Sequence, residues 1–367
     1  MTYQILSVVG TRPNFVKLAP LDRVFEASGT IDHRIVHTGQ HYAPALSGDF
    51  LKSLGLRKSL RNLEVGSGPH GAQTGWIMEA LEEECSRERP DLLLVVGDVN
   101  STLAGALVAA KLHIPVAHVE SGLRSKDRKM PEEINRLVTD RLSDILFVSE
   151  PSGVEHLRAE GVDPEAIHLV GNVMIDSLVH CLPAARERDV MSRLGVSRGG
   201  YGVVTLHRPS NVDEPERLVR LTRSLESLGH SLPLLYPVHP RTRVRLEECG
   251  IEVDSKSGLR LIDPLDYLDF LSLLEGAKLV LTDSGGIQEE TTFLGIPCLT
   301  LRPNTERPIT LEVGTNRLVR IEELESCFQS VLADEWDKGS VPELWDGKTA
   351  ERISSQLEVF LDAKCQR

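Results

Sequence analysis

Three acidic residues lie within 35 positions of one another: Asp98 in VVGDVNST, Glu120 in AHVESGLRS and Glu132 in MPEEINR. Carboxylates gathered in this way serve either to move protons or to hold a hard cation such as magnesium or manganese. No DxD or clustered pair occurs among the three, and His118, Arg124 and Arg136 stand beside the last two. That mixture of signs favours acid–base work over a cation cage, and no metal ligands are assigned.

Other groups suit an anionic substrate. The stretch VVGTRPNFVKLAP (Val8–Pro20) puts Arg12 in a turn and Lys17 on a following helix, and NTERPIT brings Arg307. Arg in particular grips phosphate oxygens in pairs. In LVLTDSGGIQEE (Leu279–Glu290) an apolar run meets two glycines and then a helical pattern. Free N–H groups of Ser284, Gly285 and Gly286 at a helix start would seat a phosphate, with Glu290 placed to reach neighbouring hydroxyls. The same turn also reads as an ordinary strand-to-helix connection with a Ser cap. It is not a GxxxxGK[ST] loop, so Walker-type chemistry has no support. His207 closes the apolar run GVVTLHRPS and His239 closes PVHPRT, where an imidazole can act as acid, base or phosphate contact.

These groups all follow strand-like runs. Ile5–Val9, Arg34–Thr38, Leu92–Val96, Ile114–Val119, Ile145–Val148 and Ile167–Val170 read as strands of one parallel sheet, separated by helical stretches such as Ala72–Arg87 and Ser101–Lys111. Gly202–Leu206, Pro233–Pro237, Leu259–Ile262, Leu279–Thr282 and Cys298–Leu301 read as a second series. The expectation is an α/β protein of two Rossmann-like αβα domains facing a cleft, with residues 1–172 carrying the acidic trio and 173–349 the phosphate seat. Residues 350–367 form a helix expected to pack back on the first domain. In such sheets ligands bind beyond the carboxyl ends of the strands.

A net charge of −13 argues against general nucleic-acid binding, which needs a basic face. The six cysteines are widely spaced with no CxxC pair, as in a reducing compartment. The first residues show no signal-peptide pattern and no apolar run reaches the ~18–20 residues of a membrane span. The expectation is a cytoplasmic protein with neither membrane nor nucleic-acid partner.

Taken in order along the chain, GTRP (Gly10–Pro13), TGQH (Thr38–His41), GDVNST (Gly97–Thr102), HVESGLR (His118–Arg124), PEEINR (Pro131–Arg136), VGNVMIDSL (Val170–Leu178), TLHR (Thr205–Arg208), DSGGIQEE (Asp283–Glu290) and TERP (Thr305–Pro308) resemble the non-hydrolysing UDP-N-acetylglucosamine 2-epimerases. The resemblance implies a glycosyltransferase-B-like fold, a homodimer, a UDP-sugar substrate and no cofactor. It implies elimination of UDP to a 2-acetamidoglucal, then re-addition with a proton delivered to the opposite face. Asp98, Glu120 and Glu132 carry over as acid–base residues, and His207 as a group near the sugar or leaving phosphate. Arg12 and Lys17 match substrate-contacting cations. Ser284, Gly285, Gly286, Glu290 and Arg307 match the UDP site, and Leu265 and Phe270 in DPLDYLDF match residues that flank uracil. The chain departs from the common pattern at Asn14 (usually Glu), Tyr42 and Pro209 (usually Arg), and its Glu120–Glu132 stretch is slightly short. Those departures put substrate activation in doubt. They also keep open a modified UDP-sugar such as a diacetamido-uronic acid, beside a hydrolysing enzyme and a non-catalytic UDP-sugar-binding protein.

Overall fold

Leu92–Val96 is apolar at all five positions, and all five are buried. A strand covered on both faces needs such a run, which is why parallel α/β sheets select it. In the computed structural model, which describes residues 2–40, 54–56, 60–254 and 256–365, it is the fourth strand of a seven-stranded sheet. His41 and Tyr42 lie outside the described residues.

The strands of this sheet are β1 (Tyr3–Val9), β2 (Ile31–His37), β3 (Leu60–Asn62), β4 (Leu92–Val96), β5 (Val116–Ser121), β6 (Ile145–Val148) and β7 (Ile167–Leu169), in the order β3-β2-β1-β4-β5-β6-β7. A six-stranded sheet follows, built from β8 (Gly202–Thr205), β9 (Leu234–Pro237), β10 (Leu259–Ile262), β11 (Leu279–Thr282), β12 (Cys298–Thr300) and β13 (Asn316–Leu318), in the order β10-β9-β8-β11-β12-β13. Every strand pairing is parallel. Each sheet therefore runs outward from its first strand in both directions, the doubly wound Rossmann-like order. The direction in which strands are added reverses at β1/β4 in one sheet and at β8/β11 in the other. β3 and β13, the edge strands LRN and NRL, have no counterpart in the sequence reading, because three residues mixing charge and apolar groups carry no period.

The chain divides into two compact units, Met1–His180 with Glu343–Arg367, and Cys181–Pro342. The division falls inside the helix Val173–Arg186, where the sequence alone puts it at residue 172. Hydrogen bonding explains the place. Asp176 accepts from the N–H groups of Thr349 (3.1 Å) and Ala350 (2.7 Å), and Ser177 donates to the Val16 carbonyl, within the first unit. Further on, Arg186 bonds Glu275 at 2.6 Å within the second. The final helix, Thr349–Cys365, contacts the first through Tyr3–Asp362 and through Thr30–Glu358 at 2.5 Å.

In the first unit Leu6, Val8, Leu93 and Val95 pack with Ile77 and Leu81 of the helix His70–Arg87. In the second, Val204, Leu234, Leu279 and Leu299 pack against Leu218, Leu221 and Leu225 of Pro215–Gly229. All six cysteines are free thiols. Among the described residues no helix is long and apolar enough to cross a membrane.

Candidate active site

In the first unit the β1/β4 reversal is closed by a short set of bonds. Gly10 follows β1, where a Cβ would lie 2.1 Å from Ser101 Oγ, so only glycine fits. Thr11 caps the helix Arg12–Ser28. Asn14 in its first turn accepts from the N–H of Thr11 (3.0 Å) and donates to the Val96 carbonyl at the end of β4 (3.0 Å). An amide does both, whereas a carboxylate can only accept. Asn14 thus ties the two strand ends together.

Asp98 follows Gly97, which turns at φ +71°. Its carboxylate is 28 % exposed and meets Arg136 Nη1 at 2.5 Å. Arg136, deeply buried on the helix Pro131–Leu142, also pairs with Glu133 one turn earlier at 2.5 Å. Burial alone would raise the Glu133 carboxyl. Arg136 and the N–H groups of Ser125 and Lys126 outweigh burial and hold it below the usual range. Asn135 Nδ2 donates to the Asp98 carbonyl at 2.9 Å.

Glu120 sits in a β-bulge. The β5/β6 register shifts between Val119 and Ser121, and Glu120 adopts φ +68°, a left-handed conformation uncommon for a residue with a Cβ. Bulges of this kind re-aim a side chain. Here the carboxylate is aimed at Lys17 Nζ, and the two form a buried ion pair. Lys17, read from sequence as a cation for substrate, is thus itself engaged by a proposed catalytic group. Glu132 occupies the first turn of Pro131–Leu142, half-buried, its carboxylate making no hydrogen bond or ion pair with the described residues. Arg12 opens the helix after β1, also half-buried. Among the described residues no cluster of three or more His, Cys, Asp or Glu has metal-binding geometry.

In the second unit the β8/β11 reversal carries His207 and Asp283. Asp283 is fully buried. Its carboxylate accepts from the N–H of His207 (3.1 Å), the N–H of Arg208 (3.0 Å) and Asn211 Nδ2 (3.0 Å), and it stands 3.2 Å from His207 Nδ1. The His207 side chain is 49 % exposed. His239 caps Pro240–Glu248. Burial first, then the nearness of His207 and Arg241, lowers its pKa. Asp283 lay in plain sight in the motif, and an acid directly after a buried strand is the signal that would have marked it.

Ser284 caps the helix Gly285–Leu294. A Cβ on Gly285 would lie 2.5 Å from Arg307 Nη1, so the guanidinium packs against the helix start. Arg307 is held by Glu289 at 2.8 Å and Glu306 at 2.6 Å, and Glu306 also takes Arg302 at 2.7 Å. Burial opposes ionisation of Glu306, but Arg307 and Arg302 drive its pKa far down. Glu290 lies deeper and accepts from the Tyr267 hydroxyl at 3.1 Å. Burial pushes its pKa up to about 7, with Glu289 adding to the rise. Leu265 and Phe270 are partly buried against a cluster containing Leu273, Val280 and Ile296. Gly286 follows Gly285 in the helix.

In the first unit Lys17 joins Glu120, and Asn135 and Arg136 join Asp98 to the helix whose first turn carries Glu132. The second holds His207 with Asp283 and a helix start flanked by buried arginines.

The profile of a known family, described as UDP-N-acetylglucosamine 2-epimerase, matches residues 23–358. The UDP-N-acetylglucosamine 2-epimerase of Methanocaldococcus jannaschii is 43 % identical over 85 % of this chain and 87 % of its own. The UDP-2,3-diacetamido-2,3-dideoxy-D-glucuronate 2-epimerase of Pseudomonas aeruginosa is 41 % identical over 96 % of this chain and 99 % of its own. A crystal structure of the Methanocaldococcus jannaschii enzyme in complex with UDP-GlcNAc and UDP superposes with a TM-score of 0.88. It shares 40 % identity, covering 97 % of this chain and 99 % of that one.

Proposed function

The chain belongs to the UDP-N-acetylglucosamine 2-epimerase family, and from that premise we propose that it is a non-hydrolysing isomerase interconverting UDP-N-acetylglucosamine and UDP-N-acetylmannosamine. The observation that supports this reading is that Asp98 and Glu120 follow the adjacent strands β4 and β5, with Asp98 bonded to the helix that carries Glu132, while His207–Asp283 and the Gly285 helix start follow β8 and β11 of the other sheet.

The proton on C2 of the sugar is not acidic, so direct abstraction to a free carbanion is slow. Elimination avoids the difficulty. A carboxylate takes the C2 proton as the C1–O bond to the diphosphate breaks, leaving a 1,2-double bond and free UDP. Re-addition reverses both changes with a proton delivered to the other face of C2. Two faces require two groups, one to take and one to give, and the trio supplies them. The leaving diphosphate gains charge as the bond breaks, so cations and helix N–H groups that stabilise it lower the barrier. Arg307, Ser284, Gly285 and Gly286 suit that task, with His207 beside the departing oxygen. Glu290 suits the ribose hydroxyls, and Leu265 and Phe270 the uracil. The reaction as written needs no redox cofactor.

Incubation with UDP-N-acetylglucosamine in deuterated water should give UDP-N-acetylmannosamine with deuterium at C2 of both sugars. Product without label would end the proposal, and so would stoichiometric free UDP, which marks hydrolysis. Near-complete coverage at 41 % identity by a diacetamido-glucuronate epimerase supports a second substrate reading. A panel including that sugar nucleotide, ranked by kcat/KM, decides between them. The resemblance also supports a cytoplasmic homodimer; light scattering giving the mass of one chain would remove the dimer.

A further inference from the structure

All three proposed acid–base residues are tied to one buried pair that the reaction itself does not use. His118 lies on β5 two residues before Glu120 and is fully buried. Its Nδ1 is 2.6 Å from Asp140 Oδ1, and its Nε2 is 2.8 Å from the carbonyl oxygen of Gly97, the residue before Asp98. Asp140 lies on Pro131–Leu142, the helix that carries Glu132. Its other oxygen accepts from the N–H of Gly122 (3.1 Å) and faces Arg124 Nη2 at 2.7 Å. Gly122 and His118 bracket the bulge at Glu120. One imidazole–carboxylate pair thus fixes the end of β4, both sides of the bulge in β5 and the helix of the third acid.

We infer that His118 and Asp140 are positioning residues that hold Asp98, Glu120 and Glu132 in mutual register for the proposed reaction. Both ring nitrogens face acceptors, a carboxylate and a peptide carbonyl, so both contacts are hydrogen bonds only when the ring carries both N–H groups. Arg124 adds positive charge on the far side of Asp140. Burial opposes ionisation of Asp140, but His118 and then Arg124 hold it below the usual carboxylate range. The unit is stiff because every partner is satisfied inside the protein. A neutral substitute at either position leaves at least one strand end to drift.

The molecule contains its own control. His33 and Asp22 form a second buried pair, with Nδ1 to Oδ1 at 2.7 Å and Nε2 to Ser7 Oγ at 2.8 Å, and it touches none of the three acids. The inference rests on the acid–base reading of the trio, which the native chain's deuterium uptake tests separately.

Asp140→Asn should lower kcat by about 10²-fold, the scale of a misplacement of about 1 Å, with KM changed less than about threefold. Asp22→Asn should lower the melting temperature but leave kcat near native. His118→Gln, whose amide can still donate to the Gly97 carbonyl, should retain more turnover than His118→Ala. Nitrogen-15 spectra of the native imidazoles, which need no variant to fold, should show His118 hydrogen-bonded at both ring nitrogens. A near-native kcat in Asp140→Asn, an equal kcat loss in Asp22→Asn, no advantage of Gln over Ala, or a His118 ring nitrogen free of a hydrogen bond would each overturn the assignment.

Discussion

Asp283 stands 3.2 Å from His207 Nδ1 while accepting the same residue's backbone N–H at 3.1 Å, so a fully buried carboxylate fixes both the ring and the peptide of a half-exposed imidazole. Its further bonds to Arg208 and Asn211 leave it no freedom. Asp283→Asn would turn an NH2 group towards N–H donors. Loss of stability of about 1–3 kcal/mol is expected for the unsatisfied donors, read by urea denaturation. Turnover should fall by about 10²-fold because the ring loses its orientation. A variant with native kcat would show that His207 needs no such anchor.

The three acids should respond differently to neutralisation even though each should cost roughly 10²–10⁴-fold in kcat. Glu120→Gln leaves Lys17 buried without its charge partner. Breaking such a pair costs up to about 3–5 kcal/mol, so this variant should melt well below the native chain. Glu132→Gln removes no ion pair among the described residues and should melt near native. Asp98→Asn, with a partly exposed carboxylate, should fall between. Melting curves with UDP titrations on each variant check the order, and UDP affinity should be little changed in all three.

Glu290 makes stability depend on pH. Its folded pKa of about 7 lies above the ordinary value near 4.5, so the folded state holds a proton that the unfolded state releases. Stability from this group is complete below pH 4.5 and declines as pH rises towards 7, where the charged form is the one that must be buried. The full span is about 3 kcal/mol, at about 1.4 kcal/mol per pKa unit. Glu290→Gln should flatten that decline and raise the melting temperature at pH 8 while weakening UDP binding. Calorimetry from pH 4.5 to 8 measures both. An unaltered slope would show that Glu290 does not titrate there.

Gly285→Ala tests the helix start. The added Cβ would sit 2.5 Å from Arg307 Nη1, and the guanidinium is pinned by Glu289 and Glu306. Displacing it should weaken UDP binding about tenfold, the equivalent of about 1.4 kcal/mol, with little change in folding stability. Titration calorimetry decides. Native affinity would separate this turn from the diphosphate.

Much of the site was legible in the sequence. Asp98, Glu120, His207 and Ser284 follow apolar runs, and in a parallel sheet the ends of such runs lie on one edge. The strand reversal was not legible, because order within a sheet depends on which helices cover which face rather than on any one segment. Asp283 sits inside a glycine turn whose pattern speaks for the backbone alone, although a carboxylate just past a buried strand is a visible mark. The edge strands β3 and β13 escaped because their three residues gain strand geometry from their neighbours' hydrogen bonds, not from their own pattern.

By itself the sequence determined the parallel α/β class, the succession of strands and the residues placed at their ends, since apolar runs bury themselves wherever they occur. Only the tertiary structure decided the partners. The bulge turning Glu120 onto Lys17, the grip of Arg136 on Asp98, and the His118–Asp140 pair that ties β4 and β5 to the helix Pro131–Leu142 join residues distant in sequence. Such contacts form through the packing of β4, β5 and the helix Pro131–Leu142, and no local propensity encodes them.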